Sequence, residues 1–172
     1  MYFFIRLMII DKERVLRMNL DIKRLELEER DNLERLLQLY LHDLSLYFPI
    51  PFNSNKCLYE YDLNKYFEDN YAYFIKLENN ILGFILVDNN GNKNYEISEM
   101  FVLNNYKGNK VGELAVKKIF DMYKGSWTIK VVPSSPSAES FWIKTIKNYT
   151  NDNFRLEHTG KYNRAILYFN ND

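Results

Sequence analysis

Hydrophobic residues recur at helical spacing in the first third of the chain. Leucines and one tyrosine occupy every third or fourth position over 33–44, which predicts an amphipathic helix, and Asp31 with Glu34 resembles an N-terminal capping pair. Prolines then end this helix, residues 53–60 are expected to form a loop, and a short helix is predicted over 63–67.

Runs rich in β-branched and aromatic residues predict a sheet for much of the remaining chain. The predicted strands cover 18–25, 71–77, 81–87, 95–103, 127–132 and two segments within 154–169. The Asn79-Asn80 turn joins the second and third of them as a hairpin. The strand over 127–132 must lie parallel to the one before it, because a helix over 113–121 intervenes. Another helix over 137–146 completes the pattern, which is that of an α/β domain with a mixed sheet.

One turn in this pattern combines glycines with lysines between a strand and a helix. The strand ends at Leu103, the turn runs over 104–112, and the helix follows without a spacer. Unpaired N–H groups in the first turn of a helix, together with the helix dipole, favour bound anions. Lys107 and Lys110 add positive charge at the same place. A phosphorylated ligand is therefore the first expectation.

Composition narrows the classes of function. The chain has 172 residues, of which 47% are hydrophobic, enough for the core of a single domain. Lysine plus arginine (23) equals aspartate plus glutamate (23), so no overall charge favours nucleic acid or an anionic membrane surface. The single cysteine, Cys57, excludes an internal disulfide and fits a cytoplasmic protein. The histidines, His42 and His158, show no metal-ligand spacing.

The N-terminal segment differs in pattern from the rest of the chain. The apolar run over 1–10 is interrupted by Arg6 and is too short to span a bilayer, and it lacks the small-residue cleavage site of a signal peptide. Residues 1–17 are therefore predicted to be a peripheral extension, with an additional strand or helix as the alternative. The domain proper is expected over 18–172.

The order strand, Tyr106-Lys-Gly-Asn-Lys-Val-Gly112, helix, strand and then Ala138-Glu-Ser-Phe-Trp142 resembles the core of the GNAT N-acetyltransferase superfamily. Further stretches resemble a group of predicted acetyltransferases within it, and the resemblance covers roughly 18–170. These stretches are 37–45, 83–87, 99–103, 120–125 and 141–150. The resemblance implies an acyl-CoA N-acyltransferase fold, with a mixed, strongly twisted central sheet and helices on both faces. It also implies acetyl-CoA as co-substrate and no metal.

The resemblance implies a set of residues that bind the cofactor. They are Phe101, Val102, Leu103, Lys107, Gly108, Asn109, Lys110, Val111, Gly112, Ser135, Ala138 and Trp142. In this fold a β-bulge in the fourth strand of the core separates it from the fifth. The backbone around 101–103 would then pair with pantetheine and polarise the thioester carbonyl.

Two further residues are candidates for proton transfer. Glu99 is polar in the middle of an apolar strand, and it is either a solvated residue at the rim of the sheet or a general base. The superfamily often places a tyrosine after Phe141 that protonates the departing thiolate, but this chain has Trp142, whose indole is not a usable acid. Tyr149 is the nearby phenol that remains, on the same helical face about 10 Å along the axis.

Two other positions depart from the family pattern. Lys110 stands where the family loop has a glycine, and Ser135 replaces an asparagine that is often found three residues before Ala138. A side chain at 110 would hinder the approach of the backbone to a pyrophosphate, unless the lysine itself pairs with a phosphate.

The resemblance implies direct transfer of an acetyl group to a primary amine in a ternary complex. Transfer of another acyl group is an alternative, and a non-catalytic acyl-CoA sensor or interaction domain is a second. A polyamine, an aminoglycoside, an amino acid and a protein N-terminus all stay open as acceptors. Neither nucleic acid nor a membrane is expected as a partner, and a homodimer stays open.

Overall fold

A computed structural model describes residues 20–69 and 71–172, so the extension predicted over 1–17 lies outside the described residues. The strands are β1 Leu20–Arg24, β2 Phe52–Asn53, β3 Leu58–Tyr59, β4 Ala72–Leu77, β5 Asn80–Asn89, β6 Asn94–Val102, β7 Ser126–Lys130, β8 Arg155–Thr159 and β9 Arg164–Asn170. The α-helices are α1 Arg30–Leu44, α2 Asn64–Glu68, α3 Val111–Met122 and α4 Pro136–Thr150.

Seven of these strands form one sheet in the order β1-β4-β5-β6-β7-β9-β8, and β2 pairs with β3 in a separate hairpin. Every neighbouring pair in the large sheet is antiparallel except β6 and β7, which are parallel. The intervening helix α3 carries the chain back to the edge at which β6 began. The mixed α/β sheet predicted from the pattern is confirmed.

Local details near the first helix differ from the prediction. The capping box is formed by Glu26 and Glu29 around a short 3-10 turn, and not by Asp31, which lies inside the first turn of α1. Both pairs have the acidic spacing of a capping box, so the sequence alone does not choose between them. The segment predicted as a loop over 53–60 contains most of the β2–β3 hairpin.

Helices cover both faces of the sheet and bury a separate core on each. One core packs α3 and α4 against the sheet around Phe120, Trp127 and Ile146. The other packs α1 and α2 around Leu33, Leu37 and residues of β4 and β5. Fully burying one such side chain contributes about 1.5–3 kcal/mol. The helices on both faces that the family resemblance implies are therefore present.

Strands β6 and β7 pair along only part of their length. Their register joins Asn94, Tyr95 and Glu96 to the segment 126–128, and no pairing continues beyond it. On the other side of β6 the register with β5 shifts, with Ile97 opposite Val87 and Glu99 opposite Leu86, so Ser98 is the extra residue of a β-bulge. Because a bulge bends and twists its strand, β6 diverges from β7 and a gap opens in the sheet.

Candidate active site

The gap between β6 and β7 leads into a cleft of about 1190 Å³. Its walls come from the diverging half of β6, the loop into α3, the first half of α4 and the end of α1. The cleft therefore reaches both faces of the sheet, and a ligand bound on the α3–α4 face can meet one bound on the α1 face. We refer to these two parts as the helix-pair side and the α1 side.

The N-terminus of α3 opens onto the helix-pair side. The first bond into the helix runs from the Leu114 N–H to the Lys110 carbonyl oxygen, at 2.9 Å. The N–H groups of residues 111–113 precede this bond, so helix geometry leaves them without an acceptor inside the helix. Val111 and Gly112 both line the cleft. The arrangement is one that binds an anionic group.

Lys110 and Gly108 adopt left-handed backbone conformations in the loop before α3. The φ angles are +62° for Lys110 and +78° for Gly108. Glycine adopts this conformation without strain, whereas for a residue with a side chain it costs about 1–2 kcal/mol. The position at which a glycine was expected is therefore one whose backbone favours glycine.

Gly112 lies where α3 approaches β6 and α4 closely. A Cβ atom at this position would stand 2.9 Å from the Met100 Cε and 3.3 Å from the ring of Phe141. The absence of a side chain thus lets the first turn of α3 sit against both neighbours. Glycine at 112 therefore has a packing cause in the fold itself.

The start of α4 forms the opposite wall of the helix-pair side. Ser135 is the N-cap, and its Oγ accepts a hydrogen bond from the Ala138 N–H at 3.4 Å. Trp142 is buried, and its ring meets the Phe141 ring edge to face at 5.1 Å between centroids. Ser135, Ala138 and Trp142 all line the cleft. Ser135 therefore caps the N-terminus of α4, a role that an asparagine at this position could also fill.

Lys107 lies at the border of the two sides. Its Nζ is 3.6 Å from the Asp43 Oδ2 of α1 and 5.7 Å from the centre of the Phe101 ring. Lys107 is exposed, so this contact contributes little to stability. Its positive charge is shared with Asp43, whereas Lys110 forms no ion pair within the described residues.

Glu99 occupies the α1 side, directly after the bulge at Ser98. Its carboxylate accepts a hydrogen bond from the Tyr40 hydroxyl and another, at 2.9 Å, from the Tyr61 hydroxyl. Burial raises the pKa of Glu99 above its ordinary value, although the two hydroxyls act in the opposite direction by favouring the charged form. Glu99 is thus a partly buried, hydrogen-bonded carboxylate at the cleft, which is the environment expected of a general base.

Tyr149 lies away from the cleft. Its hydroxyl donates to the Asp121 Oδ1 at 2.9 Å and accepts from the Asn171 Nδ2 at 3.1 Å, while its ring packs on Phe120 and Phe169. None of the cleft-lining atoms comes from it. The structure therefore does not bring this sequence-predicted acid to the other candidates.

Most of the residues predicted to bind the cofactor do meet at the cleft. Phe101, Val102, Lys107, Gly108, Lys110, Val111, Gly112, Ser135, Ala138 and Trp142 line it, and Leu103 and Asn109 do not. The Leu103 N–H instead donates to the Leu82 carbonyl oxygen at 2.8 Å, which ties the end of β6 to β5.

Three residues on the same face of the sheet as Glu99 were not singled out from the sequence. Tyr40 belongs to the amphipathic helix predicted over 33–44, Tyr61 lies in an irregular segment, and Arg164 begins β9. Tyr40 and Tyr61 are 59 and 38 residues from Glu99, so no spacing pattern joins them.

Among residues 20–69 and 71–172, no group of three or more histidine, cysteine, aspartate or glutamate residues is placed to hold a metal ion. No helix in the same ranges has both the length and the apolar character needed to cross a membrane.

Comparisons with known proteins point to one family. The model of the acetyltransferase (GNAT) family matches residues 24–144. No curated protein sequence matches the chain. Among solved structures, an acetyltransferase from Thermus thermophilus is 13% identical with a TM-score of 0.62, and the match covers 89% of this chain and 97% of that one.

Two similar structures contain coenzyme A. N-acetylglutamate synthase from Neisseria gonorrhoeae, complexed with coenzyme A and N-acetyl-glutamate, is 11% identical with a TM-score of 0.58, over 90% of this chain and 35% of that one. Diaminobutyrate acetyltransferase from Paenibacillus lautus, complexed with its substrate and coenzyme A, is 11% identical with a TM-score of 0.58, over 90% of this chain and 96% of that one. At these identities the likeness shows the fold alone.

Proposed function

This chain belongs to the acetyltransferase (GNAT) family, and we propose that it transfers an acetyl group from acetyl-CoA to a primary amine in a ternary complex. The observation that carries the proposal is the cleft between β6 and β7, which joins a helix N-terminus on one face of the sheet to a buried carboxylate on the other. Such a passage lets two substrates meet without a covalent enzyme intermediate. The coenzyme A in two similar structures supports the choice of ligand.

The helix-pair side fits a phosphate-bearing thioester. The N–H groups of 111–113 would hold the pyrophosphate, and the side chain of Lys110 adds positive charge at the same place. Among the described residues, no strand pairs with the β7-facing edge of β6 beyond Glu96, so this backbone can pair with pantetheine. N–H groups on that edge would also stabilise the oxyanion that forms on the thioester carbonyl.

On the α1 side, Glu99 would act as the general base. A lysine-like amine has a pKa of about 10.4, so most of it is protonated near neutral pH and cannot attack. Each oxygen of Glu99 keeps a lone pair beside the one that a tyrosine hydroxyl occupies, and it can take the proton directly or through water. The amine nitrogen then forms the C–N bond, the C–S bond breaks, and its electron pair leaves with the sulfur as a thiolate. The second proton that the nitrogen must lose to become an amide passes to this thiolate, directly or through water.

A non-catalytic acyl-CoA sensor is the second candidate function. Trp142 stands at the position where the family often has an acidic phenol, and Tyr149, on the same helix, lies away from the cleft. Helix α4 therefore offers no phenol to the departing thiolate. Turnover distinguishes the two candidate functions. A sensor would bind acetyl-CoA tightly but release no thiol with any amine, whereas an acetyltransferase would release thiol with its acceptor.

Acetyl-CoA is expected to raise the melting temperature of the protein. At a hundredfold excess over its Kd, a ligand that binds only the native state stabilises it by about 2.7 kcal/mol. For a domain of this size that corresponds to about 5–10 °C. Scanning fluorimetry with acetyl-CoA, and with dephospho and desulfo fragments that should give smaller shifts, measures it. An unchanged melting temperature at millimolar acetyl-CoA would contradict the proposed ligand.

The variant Lys110→Gly is expected to bind acetyl-CoA as well as the parent or better, with a weaker dependence on salt. An exposed charge contact contributes about 0–1 kcal/mol, whereas a backbone hydrogen bond to a charged group contributes about 1.5–3 kcal/mol. Glycine also removes the strain of the left-handed conformation at this position. Titration calorimetry at two salt concentrations measures both effects. A large loss of affinity that no salt concentration restores would show that the lysine side chain itself holds the ligand.

The transfer itself is tested by screening amines for thiol release from acetyl-CoA, alongside native mass spectrometry of the protein with acetyl-CoA. The proposal expects both a bound acetyl-CoA and thiol release with at least one amine. Tight binding without thiol release across a broad panel would instead favour the sensor.

A further inference from the structure

Charged residues on the α1 side of the cleft are mostly paired with one another. Asp43 pairs with Lys107 at 3.6 Å, and next to the cleft Glu96 pairs with Lys130 at 2.7 Å. Two groups of opposite sign remain, the carboxylate of Glu99 and the guanidinium of Arg164, and both line the cleft. Neither forms an ion pair within the part of the chain that the structure describes.

Arg164 is held in place by neutral groups. It is the first residue of β9, where Ala165 and Leu167 alternate into the core beneath α3 and α4, so the side chain of Arg164 lies on the opposite face. Its Nε donates to the Val131 carbonyl oxygen at 2.8 Å and its Nη2 to the Lys130 carbonyl oxygen at 3.4 Å. A guanidinium has five N–H donors, so three have no acceptor among the described residues, and no carboxylate of those residues neutralises the positive charge.

The charge of Arg164 reaches the hydrogen-bond cluster around Glu99. Burial is the main cause that raises the pKa of Tyr40, the negative charge of Glu99 adds to it, and the positive charge of Arg164 acts in the opposite direction. Arg164 therefore lies within electrostatic range of the hydroxyl that donates to Glu99. A cation that can bind an anion and a carboxylate that can bind an amine thus face one ligand volume.

From this pairing of charges we infer that the acceptor is an amino acid, whose amine meets Glu99 and whose carboxylate binds Arg164. The inference rests on the proposed transfer and names the acceptor class for it. The planar guanidinium matches a carboxylate in a bidentate contact. A polyamine or an aminoglycoside would instead bring a second cation towards Arg164, where the nearby carboxylates of Asp43 and Glu96 are already paired with lysines.

The acceptor class is tested by comparing amines that differ only in the carboxylate. Glycine, β-alanine, γ-aminobutyrate and lysine are each measured against the decarboxylated amine and, for the α-amino acids, the amide, with kcat/KM taken from thiol release. We expect the best amino acid to exceed its carboxylate-free partner by about 10²- to 10³-fold, the range for loss of one partner of a hydrogen-bonded charge pair. The chain length of that amino acid then reports the spacing between Glu99 and Arg164.

The variant Arg164→Gln is expected to remove this preference. Its kcat/KM for the best amino acid should fall by about 10²-fold or more, while kcat/KM for the carboxylate-free amine should stay within about threefold. Arg164→Lys keeps the positive charge but not the planar pair of donors. Its kcat/KM for the best amino acid should lie between those of the wild type and of Arg164→Gln. The matched control is Arg155→Gln in β8, where the arginine is exposed, lies outside the cleft and pairs with Glu157 at 3.1 Å. This control should change neither the preference nor the rate.

The possible outcomes separate this inference from the proposed transfer. A wild-type preference for carboxylate-free amines such as cadaverine or spermidine overturns the amino-acid inference and leaves the transfer intact. The amino-acid inference is also overturned if Arg164→Gln lowers kcat/KM equally for amino acids and for carboxylate-free amines and lowers the melting temperature. Arg164 would then serve only to join β9 to β7. If no amine of the panel gives thiol release, the proposed transfer is overturned, and this inference with it.

Discussion

The variant Glu99→Gln is expected to lower kcat by about 10²- to 10⁴-fold, the usual contribution of a general base, and to leave acetyl-CoA affinity nearly unchanged. Glutamine keeps the size of the side chain and can still bond to the hydroxyls of Tyr40 and Tyr61, but it cannot accept the proton of the amine. The thioester is expected on the other face of the sheet, so its binding does not depend on this carboxylate. Steady-state kinetics with an active amine and calorimetry with acetyl-CoA measure the two quantities.

The activity of the wild type should decrease as the pH is lowered. A base works only when it is deprotonated, and burial raises the pKa of Glu99. On acidification, kcat/KM should therefore begin to fall at a pH above the ordinary pKa of glutamate, about 4.3. In Glu99→Gln the deficit should shrink as pH rises, because the amine then loses its proton to solvent. Glu96→Gln is the matched control on the same strand, since Glu96 pairs with Lys130 and does not line the cleft. Full activity in Glu99→Gln would return Glu99 to a structural role.

The sequence predicts the elements of this fold well because their signals are local. The leucine spacing over 33–44 and the apolar run over 81–87 each lie within one element, and both appear as α1 and β5. The glycine-lysine turn and the start of α4 are also contiguous, which is why most of the predicted cofactor residues line the cleft. Where two capping pairs have the same spacing, as Glu26 with Glu29 and Asp31 with Glu34 do before and within α1, the sequence does not show which pair forms the capping box.

The parts that sequence reasoning missed depend on distant pairs. Tyr40 and Tyr61 reach Glu99 only because α1 and the segment before α2 pack on the same face of the sheet as this residue. Tyr149 illustrates the converse: it shares a helical face with Trp142, but the length of α4 carries it past the cleft to Asp121. Periodicity gives the face of a helix on which a residue lies, and the tertiary fold decides what that residue meets.

The variant Gly112→Val is expected to weaken acetyl-CoA binding by more than about 10²-fold, because it would displace charge-assisted hydrogen bonds that contribute about 1.5–3 kcal/mol each. The new Cβ would stand 2.9 Å from the Met100 Cε and 3.3 Å from the Phe141 ring, and valine adds two methyl groups beyond it. The first turn of α3 must then move away from β6 and α4. Overpacking of this kind costs about 1–3 kcal/mol, so the melting temperature should fall as well.

A graded series shows whether this loss has the steric cause that the structure gives it. Gly112→Ala should be milder than Gly112→Val, because its single Cβ requires only small shifts of the flexible end of Met100 and of the Phe141 ring. Adding Met100→Ala to Gly112→Val removes the nearest obstacle and should restore part of the affinity and part of the melting temperature. If the double variant recovers stability but not affinity, the bulk at 112 blocks the ligand directly. If Gly112→Val binds acetyl-CoA with the affinity of the parent, the N-terminus of α3 does not hold its phosphates.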